Sequence, residues 1–457
     1  MGRIADLAAA VLAADQIVVN GDISEDYLHD EALTAEPQAP EVVLKPTNTA
    51  EVAALLRMAH DERIAVTVRG AGTGLCGSAI ARHGGMLIST ERMNAIKEID
   101  DDNHVAVVEP GVTLLELDEA CAAKGLVYPV YPGELSATLG GNVATNAGGM
   151  RAVKYGVTRH QVLGLEAVLP TGEVIRTGGK FVKHTTGFDL TQLIVGSEGT
   201  LAVVTEVTLK LYPRPSATST VLIPFATLEE VTTAVPAIVR SGVGPLILEY
   251  VDMMSMAATT ANVGLDLGIP QQIKDQALAY LIVVIEGHHE DRVEADIAQV
   301  AELVSEMGAL DVYVLQPSAA TALLDAREKA FWVAKQHGAN DIIDVVVPRA
   351  SIPTYMAEVA AIASETGSWV AGAGHAGDGN VHLSVFQSDP DKLAHVMKGI
   401  LAAGMRLGGT ISAEHGIGTE KKPYFLALED PAKVALMQRI KAAFDPHGIL
   451  NPGVLFE

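Results

Sequence analysis

Cysteine occurs only twice in the 457 residues, at Cys76 and Cys121, so no disulfide framework holds this chain together and a reducing compartment is expected. Basic residues are scarce as well: 32 Lys plus Arg stand against 56 Asp plus Glu, a formal charge of −24. A surface of that sign repels phosphate backbones and anionic lipid, which excludes nucleic acid as a partner and argues against a polybasic membrane patch. An anionic substrate would have to be attracted locally, by an arginine or a metal. Long apolar runs are missing too. No stretch approaches the ~18 uninterrupted apolar residues of a membrane-spanning helix, and the N-terminal MGRIADLAAAVLAADQ, broken by Asp6 and Asp15, reads as an amphipathic helix and not as a signal peptide. The expected location is cytoplasmic, with peripheral attachment at the inner face of a membrane left open.

What the chain does have is apolar bulk, 49% of residues, in a length that exceeds one hydrophobic core, so two domains are expected. In the first block Asn48 or Thr49 opens a helix through Glu51 to His60, and the strand IAVTV follows. Thr113 caps a helix ending at Gly125, and Thr171-Gly172 marks a hairpin between VLGLEAVLP and EVIRTG. The Pro213 and Pro215 pair closes this block. Beyond it, strands such as STVLIPF, PLILEYVD and AYLIVVIEG alternate with helices such as LEEVTTAVPAIVRSG and EADIAQVAELVSEMG. That order implies an α+β domain with an antiparallel sheet and helices on one face. The last forty residues are expected to be helical up to Phe444.

Two segments carry chemistry. GHAGDGNVHLSVF and ISAEHGIGTEKK place His375, His382, Glu414 and His415 in glycine-rich surroundings. Two imidazoles and a carboxylate suit a divalent metal that keeps a coordination position open, and His415 remains as a candidate base. In VHLSVF the apolar Val381, Leu383 and Val385 alternate with His382 and Ser384, so a strand would bury the first set and aim the second at one face. Glu414 and His415 are neighbours and serve one site only if the backbone leaves strand geometry, as Gly416 and Gly418 allow.

The other signal is glycine. GTGLCG, Gly72 to Gly77, matches a dinucleotide fingerprint after a strand, with Glu91 downstream. Only SAIARHGG separates it from the next strand, MLIST, too little for the crossover helix of a Rossmann unit. A loop of backbone N–H groups can still bind pyrophosphate as an anion nest. A second segment, YPGELSATLGGNVATNAGGMRAVKYG, adds more glycines with Ser136, Thr138, Asn142 and Asn146. Two such loops suggest a bulky phosphate-bearing cofactor threaded through one domain.

The series RGAGTGLCG, PGELSATLGGNVATNAGG, GSEGTLAVVTEVTL, GHAGDGNVH, AEHGIG and FDPHGILNPG resembles the FAD-linked oxidases of the vanillyl-alcohol oxidase superfamily, within it the D-lactate dehydrogenase, glycolate oxidase subunit and D-2-hydroxyglutarate dehydrogenase group. The resemblance covers roughly residues 40 to 455. It implies a two-subdomain FAD-binding domain at 40–215 and an α+β capping domain with the metal site at 216–423. These would be flanked by an N-terminal helical segment at 1–39 and a C-terminal helical segment at 424–457 that returns to the flavin domain. FAD contacts would come from Arg69, Gly70, Ala71, Gly72, Thr73, Gly74, Leu75, Gly77 and Ser78 in the first loop. Pro132, Gly133, Ser136, Thr138, Gly141, Asn142, Asn146, Gly148 and Gly149 in the second would add to these, together with Glu198, Gly199, Val204 and Asn451. Thr73 stands where covalent relatives carry the attached histidine, so FAD is expected to be noncovalent. Ala202 replaces an expected glycine.

By the same resemblance His375, His382 and Glu414 would bind the metal, zinc favoured, and His415 would be the general base. Arg327 would hold the substrate carboxylate by a bidentate fork, with Ser384 beside it where an asparagine is common. The implied reaction is oxidation of a D-2-hydroxy acid to the 2-oxo acid by hydride transfer to the flavin, with metal-assisted deprotonation of the hydroxyl. Phe331 and Ile342 fall where a dicarboxylate would meet polar groups, so D-lactate is expected ahead of D-2-hydroxyglutarate or glycolate. The electron acceptor, a quinone, electron-transfer flavoprotein or cytochrome, leaves no mark in the sequence, and a homodimer is left open. Three other readings compete: a metal-dependent hydrolase, an idle FAD-binding subunit, and a flavoenzyme of the alkyl-dihydroxyacetone-phosphate synthase kind.

Overall fold

The computed structural model describes residues 2–456. Two compact units emerge: one from the chain up to Ala147 with Val157–Arg214 and the segment from Glu414 onward, the other from Gly148–Gly156 with Pro215–Ala413.

The first unit holds two main sheets. One has four strands, β1 (Ile17–Val19), β2 (Val42–Leu44), β3 (Val66–Arg69) and β4 (Met86–Ser89), in the order β1-β2-β4-β3. Asn48 starts the helix Thr49–Glu62, its side-chain oxygen accepting the Glu51 N–H at 3.0 Å. Val52, Leu55, Leu56 and Ala59 recur at helical spacing and form the buried face, which joins the strand residues Val42, Leu44, Val66 and Ile88 in one core. The N-terminal segment is only partly helical. Its α-helix is confined to Arg3–Ala8, followed only by short 3-10 turns such as Ala14–Gln16, and the β-branched run Ile17, Val18, Val19 forms an edge strand antiparallel to β2. β3 and β4 run parallel, yet no helix lies between them. The missing Rossmann crossover is thus a feature of the fold.

The second sheet of this unit is antiparallel, in the order Ile96–Asp100, Val105–Val108, Val203–Lys210, Val162–Val168, Val174–Gly178. The last two strands form the hairpin expected at Thr171-Gly172, where Gly172 takes φ +82°. Thr113 and Glu116 make a reciprocal capping box on the helix Leu114–Ala122. After the helix Pro431–Phe444 the tail returns to β3: Leu450 bridges Val66, and the Asn451 amide accepts from Val68 N–H at 2.9 Å while donating to the Glu198 carbonyl at 2.8 Å.

The second unit is built on seven antiparallel strands: β5 (Ala217–Phe225), β6 (Ile247–Asp252), β7 (Ala279–Gly287), β8 (Tyr313–Val314), β9 (Asp341–Val346), β10 (Trp369–Gly374) and β11 (Asn380–Phe386). Their order is β8-β5-β7-β6-β10-β11-β9. Helices lie on both faces instead of one. Met256 and Leu323, from the helices Met253–Val263 and Pro317–Glu328, share a core with Val251, Ile282 and Val284. The opposite strand residues face the helices Leu228–Arg240 and Glu290–Glu306. The sheet strands are apolar on both sides, which is why both faces need cover. Gly148–Gly156 supplies Met150 to the same core and packs Val153 against Gly377. No helix among the described residues is long and apolar enough to cross a membrane.

Candidate functional site

Register places the polar side chains of the second unit on one sheet face. Val251 on β6 pairs with Ala373 on β10, Ala373 with His382 on β11, and His382 with Asp344 on β9. Side chains directly opposite one another share a face, so Val251, Ala373, His382 and Asp344 do so, and stepping by two adds Glu249, Ser384 and Ile342. Val381, Leu383 and Val385 are buried on the other side, so the alternation read in VHLSVF holds in β11.

His375 begins the turn between β10 and β11, and its carbonyl accepts the N–H groups of Asp378, Gly379 and Asn380. Gly379, at φ +97°, lies against the Val347 carbonyl, where a side chain would collide with backbone. The pairing of Tyr250 with Gly374 leaves Glu249 beside His375, and the Glu249 carboxylate accepts a hydrogen bond from His375 Nδ1. The other Glu249 oxygen lies 2.8 Å from the Arg327 guanidinium. Arg327 is on the buried face of Pro317–Glu328, in step with Ala320 and Leu323. Glu249 is fully buried, and Arg327 and His375 are 8% and 7% exposed. Burial alone would raise the Glu249 pKa, but the neighbouring His375 and Arg327 outweigh it and hold the carboxyl below its ordinary value. The Arg327 Nε is buried without a hydrogen-bond partner among the described residues.

Asp344 is also fully buried. One oxygen accepts from Asn380 Nδ2 at 2.9 Å and lies 3.8 Å from His382 Nδ1; the other accepts from Ser412 Oγ at 2.8 Å and Ala413 N–H at 3.0 Å. It thereby fastens the segment that runs directly into Glu414 and His415, both of which lie in bends, outside strand geometry. Ligand atoms of Asp344, His382, Glu414 and His415 fall within 4.8 Å of one another, a donor set that could hold a metal ion. His375 is outside that set; its ring centroid lies 4.7 Å from that of His382, edge to face. Sequence reasoning missed Glu249 and Asp344. Each is an interior carboxylate flanked by apolar residues, in LILEYVD and DIIDVVV, where burial requires a partner.

The residues expected to cradle a cofactor are mostly in the first unit. Gly70, Ala71, Gly72, Thr73, Gly74, Leu75, Gly77 and Ser78 form the loop after β3. A Cβ on Gly70 would collide with Thr138 Oγ1, so the two glycine loops touch. A Cβ on Gly72, at φ +78°, would strike the Arg69 guanidinium, whose NH1 is held by the His29 carbonyl at 2.6 Å. Thr138 precedes the helix Leu139–Thr145, which carries Gly141 and Asn142, and Asn146 ends it at φ +56°. Thr138 Oγ1 and Asn142 Nδ2 are buried with no protein partner among the described residues, and so fit a polar cofactor. Pro132, Gly133 and Ser136 lie ahead of them, the Ser136 hydroxyl already on Glu134 at 2.7 Å.

Glu198 takes φ +51°, and its carboxylate is spent on protein: Ser78 Oγ at 2.7 Å and the N–H groups of Ile417 and Gly418, each at 2.8 Å. Ser78, Glu198 and Asn451 are therefore joined to one another, with Gly199 against the Asn451 amide. Val204 is paired opposite Ala167 in the five-stranded sheet. Gly148 and Gly149 group with the second unit.

Comparison with known proteins agrees with this arrangement. Residues 40–178 match the family model described as an FAD binding domain, and residues 214–455 match that of the C-terminal domain of FAD linked oxidases. An uncharacterised FAD-linked oxidoreductase of Mycobacterium tuberculosis is 56% identical over 96% of both chains. A D-lactate dehydrogenase of Archaeoglobus fulgidus is 39% identical over 94% of this chain and 95% of its own. The crystal structure of p-cresol methylhydroxylase with substrate bound superposes with a TM-score of 0.81 at 17% identity, covering 99% of this chain and 96% of the other, which speaks for the fold. The chain belongs to the FAD-linked oxidases and has the two-part fold of the vanillyl-alcohol oxidase type. It is an FAD-linked oxidoreductase, with similarity to dehydrogenases of 2-hydroxy acids.

Proposed function

We propose that this protein oxidises a small D-2-hydroxy acid, D-lactate first, to the 2-oxo acid. The observation that carries the reading is the cluster of polar groups gathered against one sheet face: buried Arg327 with an unsatisfied Nε, buried Glu249, His375 and Asp344, and the half-buried His382. Such a concentration of buried charge in an otherwise apolar domain is costly, and a site for a charged ligand is the reading that accounts for it. Arg327 holds the substrate carboxylate. His375, His382 and Glu414 hold a divalent cation, zinc favoured, with Asp344 close enough to share or orient it. His415 takes the hydroxyl proton, and Ser384 lines the pocket.

Noncovalent FAD, when bound by the loops at 69–78 and 132–149, supplies the hydride acceptor, and the cation supplies Lewis acidity toward the hydroxyl. The protein's part is to hold the carboxylate, fix the α-carbon and receive one proton. Ile342 pairs with Ser384 and so faces the same side as His382, which favours a short apolar substrate chain over a second carboxylate. Reduced flavin would pass its electrons to a quinone, an electron-transfer flavoprotein or a cytochrome.

The test is reduction of an artificial dye by the purified yellow protein with D-lactate, glycolate and D-2-hydroxyglutarate. The expected order puts D-lactate at least about tenfold ahead of the dicarboxylate in kcat/KM, since a second charge would be desolvated against Ile342. Preference for the dicarboxylate would overturn the substrate assignment.

A further inference from the structure

Glu249 has the geometry of a connector. It is fully buried, and its two oxygens go to two different side chains, His375 Nδ1 on one side and the Arg327 guanidinium at 2.8 Å on the other. Asp344, the other buried carboxylate of this face, bonds largely to the returning chain, through Ser412 Oγ and Ala413 N–H. The two acids therefore do different work. Asp344 fastens the segment that leads into Glu414; Glu249 joins two functional side chains and touches no described backbone donor.

Resting on the function proposed above, we propose that Glu249 is a positioning residue that sets the metal-binding imidazole and the substrate-binding guanidinium as one unit. As acceptor to Nδ1 it keeps the ring hydrogen there, so that the His375 lone pair is on Nε2, the nitrogen that would meet a cation; outer carboxylates of this kind also raise ligand basicity. As ion-pair partner 2.8 Å from one arm of Arg327 it holds the guanidinium in place by charge and leaves Nε, buried without a hydrogen-bond partner among the described residues, for the substrate carboxylate. The carboxylate also neutralises a cation that would otherwise be buried alone. Substrate grip and metal grip are thereby coupled through one side chain.

The experiment uses the purified holoprotein, with Zn2+ as the metal probe. Wild type, Glu249→Gln and Arg327→Gln are compared for flavin content, for Zn2+ affinity by competition with a chelator, and for KM and kcat with D-lactate. Glu249→Gln is expected to keep its flavin, to bind Zn2+ about 10- to 100-fold more weakly, and to raise KM while lowering kcat. Arg327→Gln is expected to raise KM with Zn2+ affinity changed less than threefold. A purely structural ion pair would lower the unfolding temperature and leave Zn2+ affinity and KM of the folded fraction untouched, and that result overturns the proposal. Should Glu249→Gln fail to fold, Glu249→Asp keeps the charge while withdrawing it by one methylene, and the same losses in Zn2+ affinity and KM are expected. A wild type that carries FAD, binds no divalent metal and oxidises no 2-hydroxy acid overturns the function and this coupling together; a metal-binding wild type with indifferent Glu249 variants overturns the coupling alone.

Discussion

The two units build their candidate sites from opposite materials. The first unit uses backbone and the absence of side chains: glycines at Gly70, Gly72 and Gly77 where a Cβ would meet a neighbour, and buried donors on Thr138 and Asn142 with nothing of the protein to bond. The second uses buried charge, with Glu249, His382 and Asp344 set on one sheet face by register and Arg327 and His375 brought against it from a helix and a turn. A cradle of the first kind fails when atoms are added. A constellation of the second kind fails when charges or ring nitrogens are taken away, because each loss strands a partner in a medium that cannot solvate it.

The comparison is broken most severely by removing a ring from the second site. His382→Ala is expected to lower turnover of D-lactate by more than about a hundredfold, beyond the scale of outer-sphere changes, while the flavin spectrum stays intact; a chelator should do the same to wild type. Loss of flavin along with activity would show that the two sites are not separable in this way. The first unit answers to the opposite change. Gly418 takes φ +56°, and a Cβ there would run into the Cys76 carbonyl, a backbone atom that cannot yield easily. Gly418→Ala is expected to cost roughly 2–4 kcal/mol of stability and to release flavin, read by thermal unfolding and by absorbance. Smaller still, Thr138→Val keeps the shape and deletes an unpartnered buried hydroxyl. It should weaken FAD binding by about tenfold, one hydrogen bond's worth, yet leave the apoprotein as stable or slightly more so. Equal loss of stability and of flavin would mean that the hydroxyl serves the protein itself.

This contrast also explains how much could be read from the chain. Glycine loops are local, so the turns at 70–78 and 132–149 and the missing crossover helix were legible from spacing, whereas FAD as their occupant was implied by the family resemblance. The strand period placed His382 and Ser384 on one face, and the turn glycines placed His375 at its end. Glu249 and Asp344 could not be assigned a role the same way, since their importance depends on which strands are neighbours, β6 beside β10 and β11 beside β9, and register across a seven-stranded sheet is a long-range property. An acid between apolar neighbours in a strand implies that a partner must exist without naming it. The short N-terminal helix was overestimated for a related reason: Ile17–Val19 gains more by pairing with β2 than a marginal helix gains by extending.

The mildest probe lies in the first unit, where a charge is used for clamping. Glu166 accepts from Thr49 Oγ1 at 2.6 Å and Arg176 Nε at 2.8 Å, tying the start of the helix Thr49–Glu62 to the five-stranded sheet. Burial pushes its pKa up, but the Thr49 hydroxyl and the Arg176 charge prevail and hold it below the ordinary glutamate value of 4.5. A carboxyl whose folded pKa is depressed contributes stability above its unfolded pKa, and that contribution is lost as pH falls through the folded value. The Arg176 side chain is 78% exposed, so the ion pair itself is screened. Its contribution should be small. Glu166→Gln is therefore expected to be slightly less stable than wild type at pH 7, with the gap narrowing below about pH 4.5 as the wild-type carboxyl protonates. Denaturant melts across that range measure the gap directly. A difference that persists unchanged at low pH would assign the effect to packing, and would place Glu166 with the shape-built half of the molecule instead of the charge-built one.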